Sequence, residues 1–159
     1  MKNIVIQGLG FVGSAMAIAV ASRLNRRGKH LFTVTGIDLD NKTGMERIDS
    51  INAGRFPFIT NDIKLNNELQ KAIERGNLTA TSESSAYSEA DVVFVNINCD
   101  LVNENGQDKI ALSVFTDSIR EIAENIAEET LVIIESTVPP GTCQKIVYPL
   151  FKEVFNKRN

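Results

Sequence analysis

At 159 residues the chain has the length of one domain and enough residues to bury a hydrophobic core. Its 43% apolar and 23% charged content belongs to a folded globular protein, and no apolar run nears the roughly 18 residues of a membrane-spanning helix. A net charge of -3, with Lys and Arg scattered, offers nothing to nucleic acid or an anionic membrane, so neither partner is expected.

The first residues lead directly into a strand, so no signal or transit peptide is expected and the location read is cytoplasmic. Residues 3–7 are a buried-strand run that stops at Gly8. Val12, Ala15, Met16, Ala19 and Val20 then mark one face of a helix expected to end near Gly28, with residues 23–29 as its solvated end. His30 reads as a plain surface residue. Residues 31–37 are strand-like and end at Asp38. Met45, Ile48 and Ile51 predict a second helix closing before Gly54. Leu65, Leu69, Ala72 and Ile73 predict a third that stops at Gly76-Asn77.

Residues 78–81 form a short strand and residues 90–97 a stronger one. The polar stretch 98–109 reads as a long loop of the kind that carries function. Leu112, Phe115, Ile119, Ile122 and Ile126 make an amphipathic helix, and residues 130–136 another buried strand. After Pro139-Pro140-Gly141, residues 147–155 keep helical spacing, with Pro149 imposing a short first turn or a kink. Five strands alternating with helices predict a single α/β domain over 1–159. It is a Rossmann-like, doubly wound parallel sheet in the order 3-2-1-4-5, with helices on both faces.

Gly8-Leu9-Gly10-Phe11-Val12-Gly13 sits between a strand and a helix, with Asp38 at the end of the next strand, which is the context a dinucleotide turn requires. Gly8 permits the tight turn, Gly10 clears room for a pyrophosphate, and Gly13 lets helix and strand pack closely. The free amides around Phe11 and Val12 supply donors at the positive end of the helix dipole. Asp38 can accept from both ribose hydroxyls of the adenosine half, or it can be a turn-capping aspartate. A 2′-phosphate against its carboxylate costs about 4 kcal/mol at an effective dielectric near 20, which favours NAD over NADP. Lys42, close by, is placed at the same cofactor edge because it can tolerate a phosphate.

The remaining strand ends deliver Asn98-Cys99-Asp100 and Glu135-Ser136-Thr137 to the crevice at the carboxyl edge of the sheet. The prolines after Thr137 hold its hydroxyl in a rigid turn, where it either positions water or a substrate alcohol, or joins Ser136 in capping the next helix. Cys99 and Cys143 lack the partners of a metal site, so no metal is expected, and they read as small fillers without a disulfide.

Taken together, the glycine turn, Gly36-Ile37-Asp38, Ile51-Asn52-Ala53-Gly54 with Pro57, residues 90–94, and above all Ser136-Thr137-Val138-Pro139-Pro140-Gly141-Thr142 resemble the N-terminal NAD-binding domain of the UDP-glucose/GDP-mannose dehydrogenase family. The resemblance implies oxidation of a nucleotide-sugar C6 alcohol to a carboxylate with two NAD, for polysaccharide biosynthesis, by way of a cysteine thiohemiacetal. It also implies cofactor contact at Cys99, Ser136 and Thr137, with Thr137 helping to organise a water, and a homodimer in the full-length form. Two departures stand out: Cys99-Asp100 replaces the family's Thr-Pro pair, and Ile59-Thr60-Asn61-Asp62 replaces its acidic stretch. The family's nucleophilic cysteine and the middle-domain lysine and asparagine have no match here, so the chain alone is expected to bind NAD without turnover. The alternatives are another two-domain dehydrogenase, of the 3-hydroxyacid or 6-phosphogluconate type, and a standalone dinucleotide-binding module.

Overall fold

A computed structural model of the chain describes residues 1–99, 101–104 and 107–158, with backbone alone over 101–104 and 107–110. The chain runs β1 (Lys2–Gln7), α1 (Phe11–Ala21), β2 (Phe32–Ile37), α2 (Lys42–Asn52), α3 (Ile63–Glu74), β3 (Leu78–Thr81), a 3-10 turn (Ser84–Glu89) and β4 (Val92–Val95). A hairpin of β5 (Leu101–Glu104) and β6 (Gln107–Ile110) follows, then α4 (Ser113–Asn125), β7 (Leu131–Ile134), a π-helical turn (Cys143–Val147) and α5 (Tyr148–Arg158). Five of these strands form one parallel sheet in the order β3-β2-β1-β4-β7, the predicted arrangement.

β1 lies at the centre, with Gln7 paired to Ile37 on one side and Val95 on the other. Its apolar run is continuous because both faces are covered. Ile4 and Ile6 pack with Leu9, Ile18, Ile51 and Leu69 on the α1–α3 side. Val5 packs with Val93, Tyr87, Phe115 and Ile119 on the α4–α5 side.

Four expectations need correction. The buried stripe of α1 is Gly13, Ser14, Ala17, Ile18 and Ala21, while Val12 is 64% exposed. The helix is apolar all round, so periodicity could not choose its inner face, and apart from Ile18 that face is made of small residues, which allow close approach to the sheet. The same helix ends at Ala21 rather than near Gly28. Asn25 Oδ1 accepts from the Arg27 and Lys29 amides and folds the chain back, with Leu24 bridged to His30. His30 is half-buried there and its Nδ1 donates to the Ala21 carbonyl, a C-terminal acceptor that would otherwise lack one of its partners.

The predicted loop at 98–109 contains the β5–β6 hairpin, with Asn103 opposite Asp108. The sequence between these strands holds Asn105-Gly106, the dipeptide favoured in two-residue hairpins, a signal that polarity obscured. Pro149 falls in the first turn of α5, directly after the π-helical turn. Lacking an N–H, it cannot bond back to Lys145, and the widened turn absorbs the mismatch.

Candidate functional site

β1 leaves the sheet at Gly8, whose φ of +90° suits glycine and strains any other residue. A Cβ there would lie 2.5 Å from the Asn96 carbonyl oxygen, and one at Gly13 would lie 1.9 Å from the Gly8 oxygen. Both glycines are required by the protein's own packing. Gly10 is not. Its backbone is extended, with φ −61° and ψ −175°, and an added Cβ would meet nothing within 4 Å. No packing contact calls for a glycine here, and the space in front of it opens onto a cleft. α1 begins at this point without a side-chain cap and without an acidic residue in its first turn. Its amides and the positive end of its dipole therefore face outward.

The second wall is built by the end of β2. Asp38 is only 7% exposed. Its Oδ2 accepts from the Leu9 amide at 3.1 Å and from Arg47 Nη1 at 3.1 Å, and its Oδ1 accepts from the Leu39 amide at 2.8 Å. Asp38 therefore ties the glycine turn to the end of β2. Arg47 extends from α2, which Asn41 caps by accepting from the Gly44 amide. Its guanidinium sits 5.6 Å from the centroid of the Phe58 ring, and Phe58, Phe56 and Phe11 form an aromatic cluster with centroids 5.4–5.7 Å apart.

Opposite stands the third wall. Ser136, just past β7, accepts at Oγ from the Ile97 amide (2.9 Å) and donates to the Val95 carbonyl (3.2 Å). Its hydroxyl joins the ends of β4 and β7 and caps no helix. Thr137 follows, exposed at the rim. The turn beyond it is held by Thr142, which is buried and whose Oγ1 donates to the Pro139 carbonyl at 2.8 Å. A cleft of about 500 Å³ runs from Asp38, Leu39, Arg47 and Phe58, past Gly8 and Gly10–Gly13, to Asn96–Asn98 and Glu135–Thr137.

Gly8, Gly10, Phe11, Val12, Gly13, Asp38, Ser136 and Thr137 are thus brought together around one cleft. Lys42 and Cys99 are not among its lining residues. Lys42 is the exposed first residue of α2, and Arg47 of the same helix lines the cleft. Cys99 is half-buried against the Tyr87–Phe115 cluster, with Sγ directed to the Ile97 carbonyl at 3.8 Å, and Asn98 lines the rim instead. Asp100 lies outside the described residues. No disulfide joins Cys99 and Cys143.

Sequence reasoning missed Arg47, Phe58 and Gln7. For Arg47 a signal existed. A Cβ at Gly44 would lie 2.0 Å from the Leu39 oxygen, so Gly44 marks the face of α2 that meets the end of β2, and Arg47 is one turn along that face.

The model of the UDP-glucose/GDP-mannose dehydrogenase family, NAD binding domain, matches residues 2–159. A UDP-N-acetyl-D-mannosamine dehydrogenase of Methanococcus vannielii is 31% identical over 98% of this chain and 33% of its own length. A GDP-mannose 6-dehydrogenase of Pseudomonas aeruginosa is 30% identical over 98% of this chain and 33% of its own. Among solved structures, a ternary complex of GDP-mannose dehydrogenase from Pseudomonas aeruginosa superposes with a TM-score of 0.77 at 31% identity, over 97% of this chain and 32% of that one. An NDP-N-acetyl-D-galactosaminuronic acid dehydrogenase from Methanosarcina mazei gives a TM-score of 0.85 at 25% identity, over 97% and 31%. The chain spans about a third of the length of the relatives it matches.

Proposed function

Because the chain belongs to the UDP-glucose/GDP-mannose dehydrogenase family and is its NAD-binding domain, we propose that the cleft between Asp38 and Thr137 is where the dinucleotide lies. The open space in front of Gly10 carries this reading, since it is room the fold does not fill. The neighbouring residues fit the group. Uncapped amides of α1 meet the pyrophosphate, Asp38 meets the adenosine ribose, and Asn98 and Thr137 stand towards the nicotinamide half. Arg47 shares Asp38 and is positioned to hold the same ribose.

When bound, the nicotinamide supplies hydride acceptance. This chain's residues bind and orient it, and Thr137 presents a hydroxyl that holds a water at the rim. In a longer protein the cleft serves a nucleotide-sugar dehydrogenase, as the relatives' names suggest; in our reading the reaction is oxidation of a C6 alcohol to the carboxylate with two NAD, by a cytoplasmic, dimeric enzyme that feeds polysaccharide biosynthesis. The 159 residues form one domain that binds NAD without turnover. Calorimetric titration with NADH and NADPH tests the reading: NADH is expected to bind at least several-fold tighter. Equal affinity for the two would refute the assignment of Asp38, and turnover of a nucleotide sugar by these residues alone would refute the need for further segments.

A further inference from the structure

β1 is apolar until its last residue, Gln7, which is 3% exposed. By strand alternation its side chain lies on the same face as Val5, towards α4. Buried Tyr87, from the 3-10 turn, donates its hydroxyl to Gln7 Oε1 and thereby fixes the amide. That leaves Nε2 as a donor turned away from Tyr87. On α4, Ser118 occupies the buried stripe of Phe115, Ile119 and Ile122, and is 5% exposed.

Both residues line the cleft, and among the described residues neither Gln7 Nε2 nor the Ser118 hydroxyl has a hydrogen-bond partner. The side-chain atoms that are both sealed and unpaired among those residues are Ser22 Oγ and Asn77 Oδ1. Gln7 Nε2 and Ser118 Oγ are therefore open to the cleft. Two nine-tenths-buried polar side chains aimed at one space amount to a built subsite, because polar groups placed in a core without partners cost stability that an apolar pair would not.

We propose that Gln7 and Ser118 form a polar floor on the α4 side of the cleft that takes a hydroxyl of the second ribose, the one bearing nicotinamide. The donor set suits a neutral hydroxyl: an amide donor beside a group that both donates and accepts. An anion is disfavoured, since the cleft's lining cation, Arg47, is engaged by Asp38 at the far end, while Glu135 stands on the near rim. Position selects the second ribose. Asp38 marks the β2 end for the first, whereas Gln7 pairs with Val95 of β4 and faces the layer opposite α1.

The inference rests on the dinucleotide reading of the cleft, and three probes separate the two. Ser118→Ala and Gln7→Leu are titrated calorimetrically with NADH, ADP-ribose and ADP, after thermal melts of each variant. NADH and ADP-ribose, which carry the second ribose, are expected to bind about five-fold more weakly to each variant, with ADP unchanged. Unchanged NADH binding, equal weakening of all three probes, or weaker NADH with unchanged ADP-ribose each overturns the assignment. If Gln7→Leu fails to fold, Ser118→Ala alone decides. Failure of the parent chain to bind NADH or ADP would instead overturn the dinucleotide reading itself.

Discussion

Replacing Gly10 by alanine adds one methyl group where nothing lies within 4 Å and where the backbone, at φ −61° and ψ −175°, already suits an L-residue. Without ligand the substitution should therefore change stability by less than about 1 kcal/mol, because the smaller conformational freedom of the unfolded state is offset by alanine being a poorer N-cap for α1 than glycine. For a domain of this size that keeps Tm within about 4 °C of the parent. Gly8→Ala provides the contrast. It combines a φ of +90° with a 2.5 Å approach to the Asn96 oxygen, and should lose about 1–3 kcal/mol or more. Ligand response then runs the other way. NADH at a hundred times its Kd should add about 2.7 kcal/mol to the parent. Gly10→Val, which fills the space a pyrophosphate needs, should melt near the parent alone and show no NADH shift. Thermal melts with and without NADH read both effects from one plate. A Gly10→Ala chain that loses as much stability as Gly8→Ala, or a Gly10→Val chain that keeps the NADH shift, would refute the claim that this glycine serves a ligand.

Asp38→Ala is expected to weaken NADH about ten-fold or more, by loss of hydrogen bonds to a charged group, and to narrow the gap to NADPH. Arg47→Ala, which leaves the Asp38 carboxylate without its cation, should widen that gap; calorimetry with both cofactors checks the pair. Tyr87→Phe strips Gln7 Oε1 of its donor inside the core and should cost about 1–3 kcal/mol in urea unfolding, and an effect below a few tenths would contradict the geometry. Burial, with a smaller contribution from Glu124, pushes the Glu121 carboxyl above its ordinary range. Because the folded form then disfavours the charge, the penalty is absent below the unfolded carboxyl's pKa and complete above the folded one. Glu121→Gln should therefore raise the melting temperature at pH 7, with the advantage fading as pH falls towards about 4 and absent below it. An advantage that persists in acid would point to packing instead.

The sheet order was legible because strand runs, right-handed crossovers and the glycine turn all agree, and burial of both faces leaves little freedom in register. What escaped has specific causes. α1 is apolar on every side, so its inner stripe depends on which residues are small enough to touch β1, a three-dimensional fact. Polarity hid the β5–β6 hairpin. At the site, Gly8, Gly10, Asp38 and Thr137 could be named because local sequence places each at a strand end. Arg47 and Phe58 reach the cleft from a helix and a loop whose approach is set by packing at Gly44 and within the phenylalanine cluster. Gln7 was passed over because it ends an otherwise apolar strand, and only the positions of Tyr87 and α4 distinguish it from a buried filler.

The bond from the Leu9 amide to Asp38 has a consequence for speed as well as shape. It clamps the glycine turn to the neighbouring strand end before any ligand arrives, so the ordering entropy of that turn is already settled when the chain folds. Ligand capture then needs water to leave, with little rearrangement of backbone. Association should accordingly be fast and single-exponential, and loosening the clamp should appear first as a slower second phase.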